Sequence, residues 1–567
     1  MTRLASTAPA ALLAVVLAAC AGGPQPAATS PKGGGPAVSS ERLRPWLSTY
    51  ASDSMAGRET GTAGGMKATA WLAEEARKLG LEPAGENGTF FQEIPLRQAL
   101  LQPGSAIEVA GRSLTADKDL LLFGAEPVFG VGRTFMGEAA TVYGGRLGDR
   151  SAALTAEQVR GRLIVYQPPL GPDGKPMWMF WSSIDREVLA ASRGALVTSL
   201  AATPEEIVAL LRAPRVTVGD ADQPDDAPFV AAIDDATARD ILGADPATLR
   251  PGAIGRPVRG SMKLVVTRAP APGRNVAAIL RGSDPALRGQ YVAIGAHNDH
   301  LGFDTAPVDH DSLLAHNRVV RPMGKQGPDR LPTAAEAARI RQLRDSLRKV
   351  RPPRLDSIYN GADDDGSGSV AALAIAEALL KSKVKPKRSL LFVWHAGEEK
   401  GIWGSRWYTD HPTVPLDAIV AQLNIDMVGR GSAADSTGAG PGGPNRLLLI
   451  GSRRLSTELG DLVEQVNRDG GHGMSFDYGL DANGHPINVY CRSDHYMYAR
   501  YGIPITFFTT GLHQDYHMVT DEVQYIDFPK MARISTFIAD VALRLANNPR
   551  PPFVDKPKPD PQGECRQ

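Results

Sequence analysis

Cysteine is nearly absent from this chain, with Cys20, Cys491 and Cys565 alone among 567 residues. A metal centre built from thiolates is therefore excluded, and any bound ion must be held by nitrogen and oxygen donors. No Gly-x-Ser-x-Gly elbow and no His-Glu-x-x-His pair occurs, which argues against a serine hydrolase and against the zinc class built on that helix. Neither sign of charge is in excess: Lys plus Arg number 62 and Asp plus Glu number 62. Nothing in the net charge proposes nucleic acid or an anionic membrane as partner, so any charge-based function is local. What is present, 43% hydrophobic and 22% charged residues over this length, suffices for a large core divided among two to four domains.

The first apolar stretch, Ala10 to Leu17, follows Arg3 and is too short to span a bilayer. It ends in Leu17-Ala18-Ala19-Cys20, which resembles a bacterial lipoprotein signal. That resemblance implies a signal peptide over 1–19, a lipid on Cys20, and residence in the cell envelope, anchored to the bacterial outer membrane. Residues 20–40, rich in Gly, Pro, Ala and Ser, read as a flexible tether. Export permits disulfides, but the sequence leaves open whether Cys491 and Cys565 pair.

Folded structure is expected from Glu41. Leu43, Trp46, Leu47 and Tyr50 recur at helical spacing, and Met66 to Leu79 reads as a second helix stopped by Gly80. Residues 41–114 are taken as the first part of the main domain. Over 115–255 short β-like runs (Ala139 to Tyr143, Leu163 to Tyr166, Ala195 to Thr198, Phe229 to Ile233) alternate with turn clusters and a helix-like Ala236 to Leu242. This stretch has no dense set of His, Asp or Glu, and it resembles a small β-rich protease-associated domain inserted in a peptidase. From 256 to 548 strands and helices alternate, which predicts an α/β fold with a mostly parallel mixed sheet flanked by helices. A Pro-rich tail, 549–567, follows.

The chemistry gathers where predicted strands stop. Tyr291-Val292-Ala293-Ile294-Gly295 runs into His297-Asn298-Asp299-His300, and Leu390 to Trp394 runs into Ala396-Gly397-Glu398-Glu399. The strand from Ile419 ends at Asp426, the strand from Ile503 leads on to His517, and Asp363-Asp364-Asp365 precedes the helical Val370 to Leu380. Open α/β sheets place their sites at such strand ends. His297, Asp364, Glu399, Asp426 and His517 supply two imidazoles and three carboxylates, a donor set suited to zinc or a similar divalent ion. Adjacent side chains at a strand end diverge, so Glu399 can ligate while Glu398 handles a proton. Asp299 is placed to orient His297. His300, His495 and His513 stand beside these residues as decoys.

These motifs together resemble the co-catalytic two-zinc aminopeptidases, a family that also contains glutamate carboxypeptidase II and, as divergent members, glutaminyl cyclases and the transferrin receptor. The resemblance covers about 275 to 545. It implies two Zn²⁺ ions, one held by His297 and Asp426, the other by Glu399 and His517, with Asp364 between them. It further implies Glu398 as general base toward the attacking water, Asp299 as support for His297, and Tyr490 as a residue on the oxyanion. The implied activity is removal of the N-terminal residue from peptide substrates. The alternative within the family is a carboxypeptidase or dipeptidase that recognises a substrate carboxylate.

The chain departs from the family pattern between His297 and Asp364, where an inserted segment, 303–356, is expected beside the site. Within it, Thr333 to Val350 spaces Ile340, Leu343, Leu347 and Val350 on one helical face. That face is expected to pack on the cleft rim and to present some of Arg339, Arg341, Arg344, Arg348 and Lys349 to the cleft.

Overall fold

The structure is a computed structural model that describes residues 35–567 except 117, 124–134, 150, 152, 172–173, 179–182, 222–228, 329, 432–434, 438–439, 442 and 564. The expected signal, and Cys20 with it, lie outside the described residues. No helix among the described residues is long and apolar enough to cross a membrane.

A nine-stranded mixed sheet organises the larger region. Its order is Glu82–Pro83, Gly273–Leu280, Ser389–His395, Tyr291–His297, Ile419–Ile425, Ile505–Thr509, Arg446–Ile450 and Ser475–Asp477, with Phe91–Ile94 also pairing onto Gly273–Leu280. The four strands from Ser389 to Thr509 in that order are mutually parallel, and antiparallel pairing is confined to either side of them. These central strands are buried on both faces, which is why they read as continuous apolar runs rather than as alternating ones. Alternate residues still go to different cores. Ile294, Phe392 and Leu423 pack beneath the helices Ser40–Tyr50, Ala63–Leu79, Gly368–Lys381 and Phe528–Asn547. Ala293, Leu391 and Val393 pack against Tyr408 and Tyr498 on the opposite face.

The chain leaves this sheet at Ile94 and returns at Gly273, and between those points it builds three smaller sheets. One has five strands, in the order Leu121–Phe123, Phe229–Ala232, Gly194–Val197, Leu163–Gln167 and Thr141–Arg146. The strands Leu96–Leu101, Ala106–Val109 and Arg112–Thr115 pair with partners from this same stretch. The division expected at 114/115 therefore does not coincide with a structural break, because cross-strand pairing commits residues 96–115 to the smaller sheets.

The segment expected as an insertion, 303–356, is fixed at its base by antiparallel pairing of Phe303–Asp309 with Leu355–Ile358. Its long helix, Ala334–Leu347, packs on the helix His310–Val320 of the same segment and has no fully buried residue. Arg344 pairs with Asp345 and Arg348 with Asp309, while Val350 is 82% exposed. The expected packing of its apolar face on the cleft rim, with basic residues turned to the cleft, is corrected on both counts. The tail 549–567 is laid along the domain surface. Cys565 is disulfide-bonded to Cys491, and the Gln567 side chain donates to the Ala482 carbonyl at 3.0 Å.

Candidate metal centre

Asp364 stands between two histidine and carboxylate pairs. Its Oδ1 is 3.1 Å from His297 Nε2, which is 3.7 Å from Asp426 Oδ1. Its Oδ2 is 3.1 Å from His517 Nε2, which is 2.9 Å from Glu399 Oε2. Residues separated by up to 220 positions thus meet because three of them close parallel strands and two lie on loops at the same sheet edge. The backbone bends sharply to achieve this. His517 and Met427, the latter directly after Asp426, hold left-handed φ angles of 56° and 63°.

Burial opposes ionisation of Asp364, yet its hydrogen bonds to His297 and His517 hold its carboxyl well below the ordinary value. Burial likewise opposes protonation of His517, but Glu399 and Asp364 raise its imidazole to about 10. Three carboxylates, Asp364, Glu399 and Asp426, thus converge with His297 and His517 in one buried cluster. A divalent cation of the zinc type fits this donor set, since oxygen and nitrogen ligands converge and no thiolate intrudes.

Glu398 lies beside this cluster, half-buried, on the wall of a cleft of about 380 Å³ that also exposes Asp364, Glu399, Asp426 and His517. Burial pushes its carboxyl well above the ordinary value; Asp426, Glu399 and Asp494 add to the rise while His297 opposes it. Its backbone N–H donates to Asp299 Oδ1 at 3.1 Å. The Asp299 carboxylate is 3.7 Å from His297 Nδ1, farther than its own backbone carbonyl at 3.2 Å. Asp299 therefore steadies both the imidazole and the start of the Glu398 turn, the first mainly through its main chain.

Several residues at the centre were not legible as participants. His300, read as a decoy, places Nδ1 2.7 Å from Glu399 Oε1 and leaves Oε2 to face His517. Asp365 accepts from the amides of His297, Gly368 and Met427, tying three site loops together. Asp521 Oδ2 accepts from the amides of both Asp363 and Asp364, and Ser493 Oγ is 2.9 Å from Asp426 Oδ2. Arg58 donates to the carbonyls of Asn360 and Gly361, bracing the Asp364 loop from the short helical segment Asp53–Arg58. An acidic residue spaced from a ligand does not announce which amide it accepts, so no sequence signal marks these roles.

Tyr490 does not line the cleft. Its ring is buried under the Arg454 guanidinium, 4.5 Å from the ring centroid, and meets Tyr496 edge-on. Its placement is that of a packed aromatic, which leaves the expected oxyanion role without geometric support. Tyr516 lines the cleft instead, stacked on His517 with ring centroids 3.9 Å apart. A third group, His310, Asp356 and Glu522, has the composition of a metal site, but Arg354 sits on both carboxylates and closes it.

Residues 275–542 match the model of Peptidase family M28. The chain is 40% identical over 78 residues to leupeptin-inactivating enzyme 1 of Streptomyces exfoliatus, covering 13% of this chain and 18% of that one. It is 27% identical over 176 residues to a probable leucine aminopeptidase of Arthroderma benhamiae, covering 30% and 44% respectively. The chain thus spans less than half the length of these curated relatives. Among solved structures it is similar to an aminopeptidase from Aneurinibacillus sp. strain AM-1, at 15% identity and a TM-score of 0.50, covering 92% of this chain and 97% of that one. That likeness shows the fold.

Proposed function

We propose that this chain is a zinc exopeptidase of the M28 type that holds two ions and removes the N-terminal residue of peptides. The observation that carries this reading is Asp364, each of whose oxygens faces a separate histidine and carboxylate pair. His297 and Asp426 would hold one zinc, Glu399 and His517 the other, with Asp364 shared. The likeness of residues 275–542 to the M28 model supports the family, and the aminopeptidase relatives support the substrate class.

When bound, the zinc pair supplies Lewis acidity toward water and the scissile carbonyl. Glu398, on the cleft wall beside the cluster, accepts the proton of the attacking water and returns it to the departing amine. Asp299 and His300 keep His297 and Glu399 in one orientation, so that little reorganisation accompanies each turnover. Apolar residues along the cleft, among them Ile487, Val489, Phe507 and Leu512, favour an apolar side chain on the residue removed.

The test is hydrolysis of a panel of aminoacyl-arylamides against N-blocked peptides, with and without a chelator, beside elemental analysis of the purified protein. Chelator-sensitive cleavage of free-amine substrates and close to two ions per chain are expected. Full activity with at most one ion would remove the two-ion mechanism.

Export and lipid attachment at Cys20 are part of the same proposal. The Cys491–Cys565 disulfide supports an oxidising compartment. A Cys20→Ser variant should leave the membrane fraction, and an unchanged distribution would end this part of the reading.

A further inference from the structure

Residues 549–567 lie outside the stretch that matches the M28 model and contribute no strand or helix among the described residues. Pro551, Pro552, Pro557, Pro559 and Pro561 keep the segment extended, since each fixes its own φ and removes a backbone donor. It is nevertheless fastened along its course. Ser456 donates to the Phe553 carbonyl at 2.7 Å, Thr457 donates through its N–H and its hydroxyl to the Asp555 carboxylate, and Arg500 donates to the Pro561 carbonyl at 3.1 Å.

The segment then reaches the cleft. Leu480, Ile487, Val489 and Cys491 line the cleft beside Glu398 and His517, and all four come from one loop, 479–491. That loop consists of the short turns Gly479–Asp481 and Val489–Cys491 with irregular backbone between them. Cys565 is disulfide-bonded to Cys491 at one end of it. Gln567 spans the rest: its side-chain nitrogen donates to the carbonyls of Leu480 and Ala482, its Oε1 accepts from the Tyr490 N–H at 2.9 Å, and its main-chain oxygen accepts from the Gly484 N–H at 2.8 Å. One residue thus meets both ends and the middle of the loop. Irregular backbone loses conformational freedom when it is held in one shape, and these bonds impose that shape before a substrate arrives.

We propose that Cys565 and Gln567 are positioning residues for substrate selectivity: they hold loop 479–491 as a rigid apolar wall, so that a bulky apolar side chain on the residue removed is preferred over a small one. This rests on the exopeptidase reading above and adds to it which part of the chain sets the side-chain preference. The metal cluster is braced from elsewhere, by His300, Asp365 and Asp521, so selectivity and ion binding are separable.

The experiment measures kcat/KM for the 4-nitroanilides of leucine and alanine on the metal-loaded protein, with Cys565→Ala, Gln567→Ala and Asp555→Ala beside the wild type. The wild type should favour leucine by about tenfold to a hundredfold, the range a pocket draws from a few methylene groups. Cys565→Ala and Gln567→Ala should each reduce that ratio by about threefold to tenfold, the effect of leaving a few groups to be ordered on binding. The fall should come chiefly from a higher KM for leucine, with kcat on the alanine substrate and ion content unchanged. Asp555→Ala loosens the same segment away from the cleft, and should lower the melting temperature while keeping the ratio. Hydrogen exchange over 479–491 should quicken in the first two variants alone, and calorimetric binding of leucine hydroxamate against alanine hydroxamate should show the same loss of preference without turnover. A wild-type ratio near one, a ratio preserved in both Cys565→Ala and Gln567→Ala, or an equal fall in Asp555→Ala overturns the proposal. Absence of chelator-sensitive cleavage of either free-amine substrate by the wild type, by contrast, would remove the exopeptidase reading itself, and the exchange and hydroxamate measurements would then decide whether the wall is held as proposed.

Discussion

The stretch from 96 to 268 and the sheet region around it bury different things. In the first, the cores are apolar, charges such as Arg112 with Asp240 or Arg259 with Glu138 pair on the outside, and Arg215 is a single buried charge among the described residues. In the second, His297, Asp299, His300, Asp363, Asp364, Asp365 and Asp521 are all nearly inaccessible to solvent. Burying ionisable groups costs several kcal/mol each unless they are paired or ligated, so stability alone would not assemble them. The difference teaches that the smaller sheets are built to fold, whereas the large sheet supports a polar cluster whose benefit lies in binding and chemistry.

The sharpest way to break that contrast is at two adjacent residues. Glu398→Gln should lose turnover by about 10²–10⁴-fold or more while keeping its ions, and Glu399→Gln should lose an ion. Turnover and elemental analysis on both variants decide it, and two variants that keep both rate and metal would dissolve the distinction between base and ligand. Next comes Asp521→Asn, which replaces one of the oxygens available to the Asp363 and Asp364 amides with a competing donor. It should weaken ion retention by about tenfold to a hundredfold, read by titration against a chelator.

On the other side of the comparison, Leu196→Ala opens a cavity in the core of the five-stranded sheet. A loss of about 2–5 kcal/mol in denaturant unfolding is expected with ion content unchanged. A parallel loss of metal would show that the two regions are not energetically separate.

A smaller effect tests burial of charge away from the cleft. Burial lowers the Lys530 ammonium from 10.5 to about 8, against the pull of Asp527 and Asp363. Between these values the unfolded chain binds more protons than the folded one, so stability rises with pH across that window and is flat in this respect below it. Relative to Lys530→Met, the wild type should therefore gain stability from near pH 7 to near pH 10 in chemical denaturation. The smallest effect is expected at the surface, where Arg259→Ala should leave the melting temperature unchanged, because an exposed pair is screened by water and salt.

Strand positions in the large sheet were legible because strands buried on both faces must be apolar throughout, as Leu390 to Trp394 is. Helix ends were close for the same kind of reason. Gly80 stops Ala63–Leu79 in the left-handed conformation, and Thr333 with Glu336 forms a capping box for Ala334–Leu347. The extent of the smaller sheets was less legible. Residues 96–115 carry no marker that distinguishes a partner in the large sheet from one in the small sheets, and pairing was decided by strands more than a hundred residues away.

By itself the sequence determined which residue types end the central strands, and hence the nitrogen and oxygen donor set of His297, Asp364, Glu399, Asp426 and His517 and the absence of thiolates from it. It also determined that 66 residues lie between His297 and Asp364, with a helical pattern from Thr333 to Val350 among them. Only the tertiary structure decided that Tyr490 turns into the core while Tyr516 faces the cleft, and that His300 and Asp365 brace the cluster. The physical reason is directional. Chain position and periodicity fix where a backbone passes and which face is apolar, but the aim of a polar side chain is set by the donors, acceptors and rings that packing brings around it.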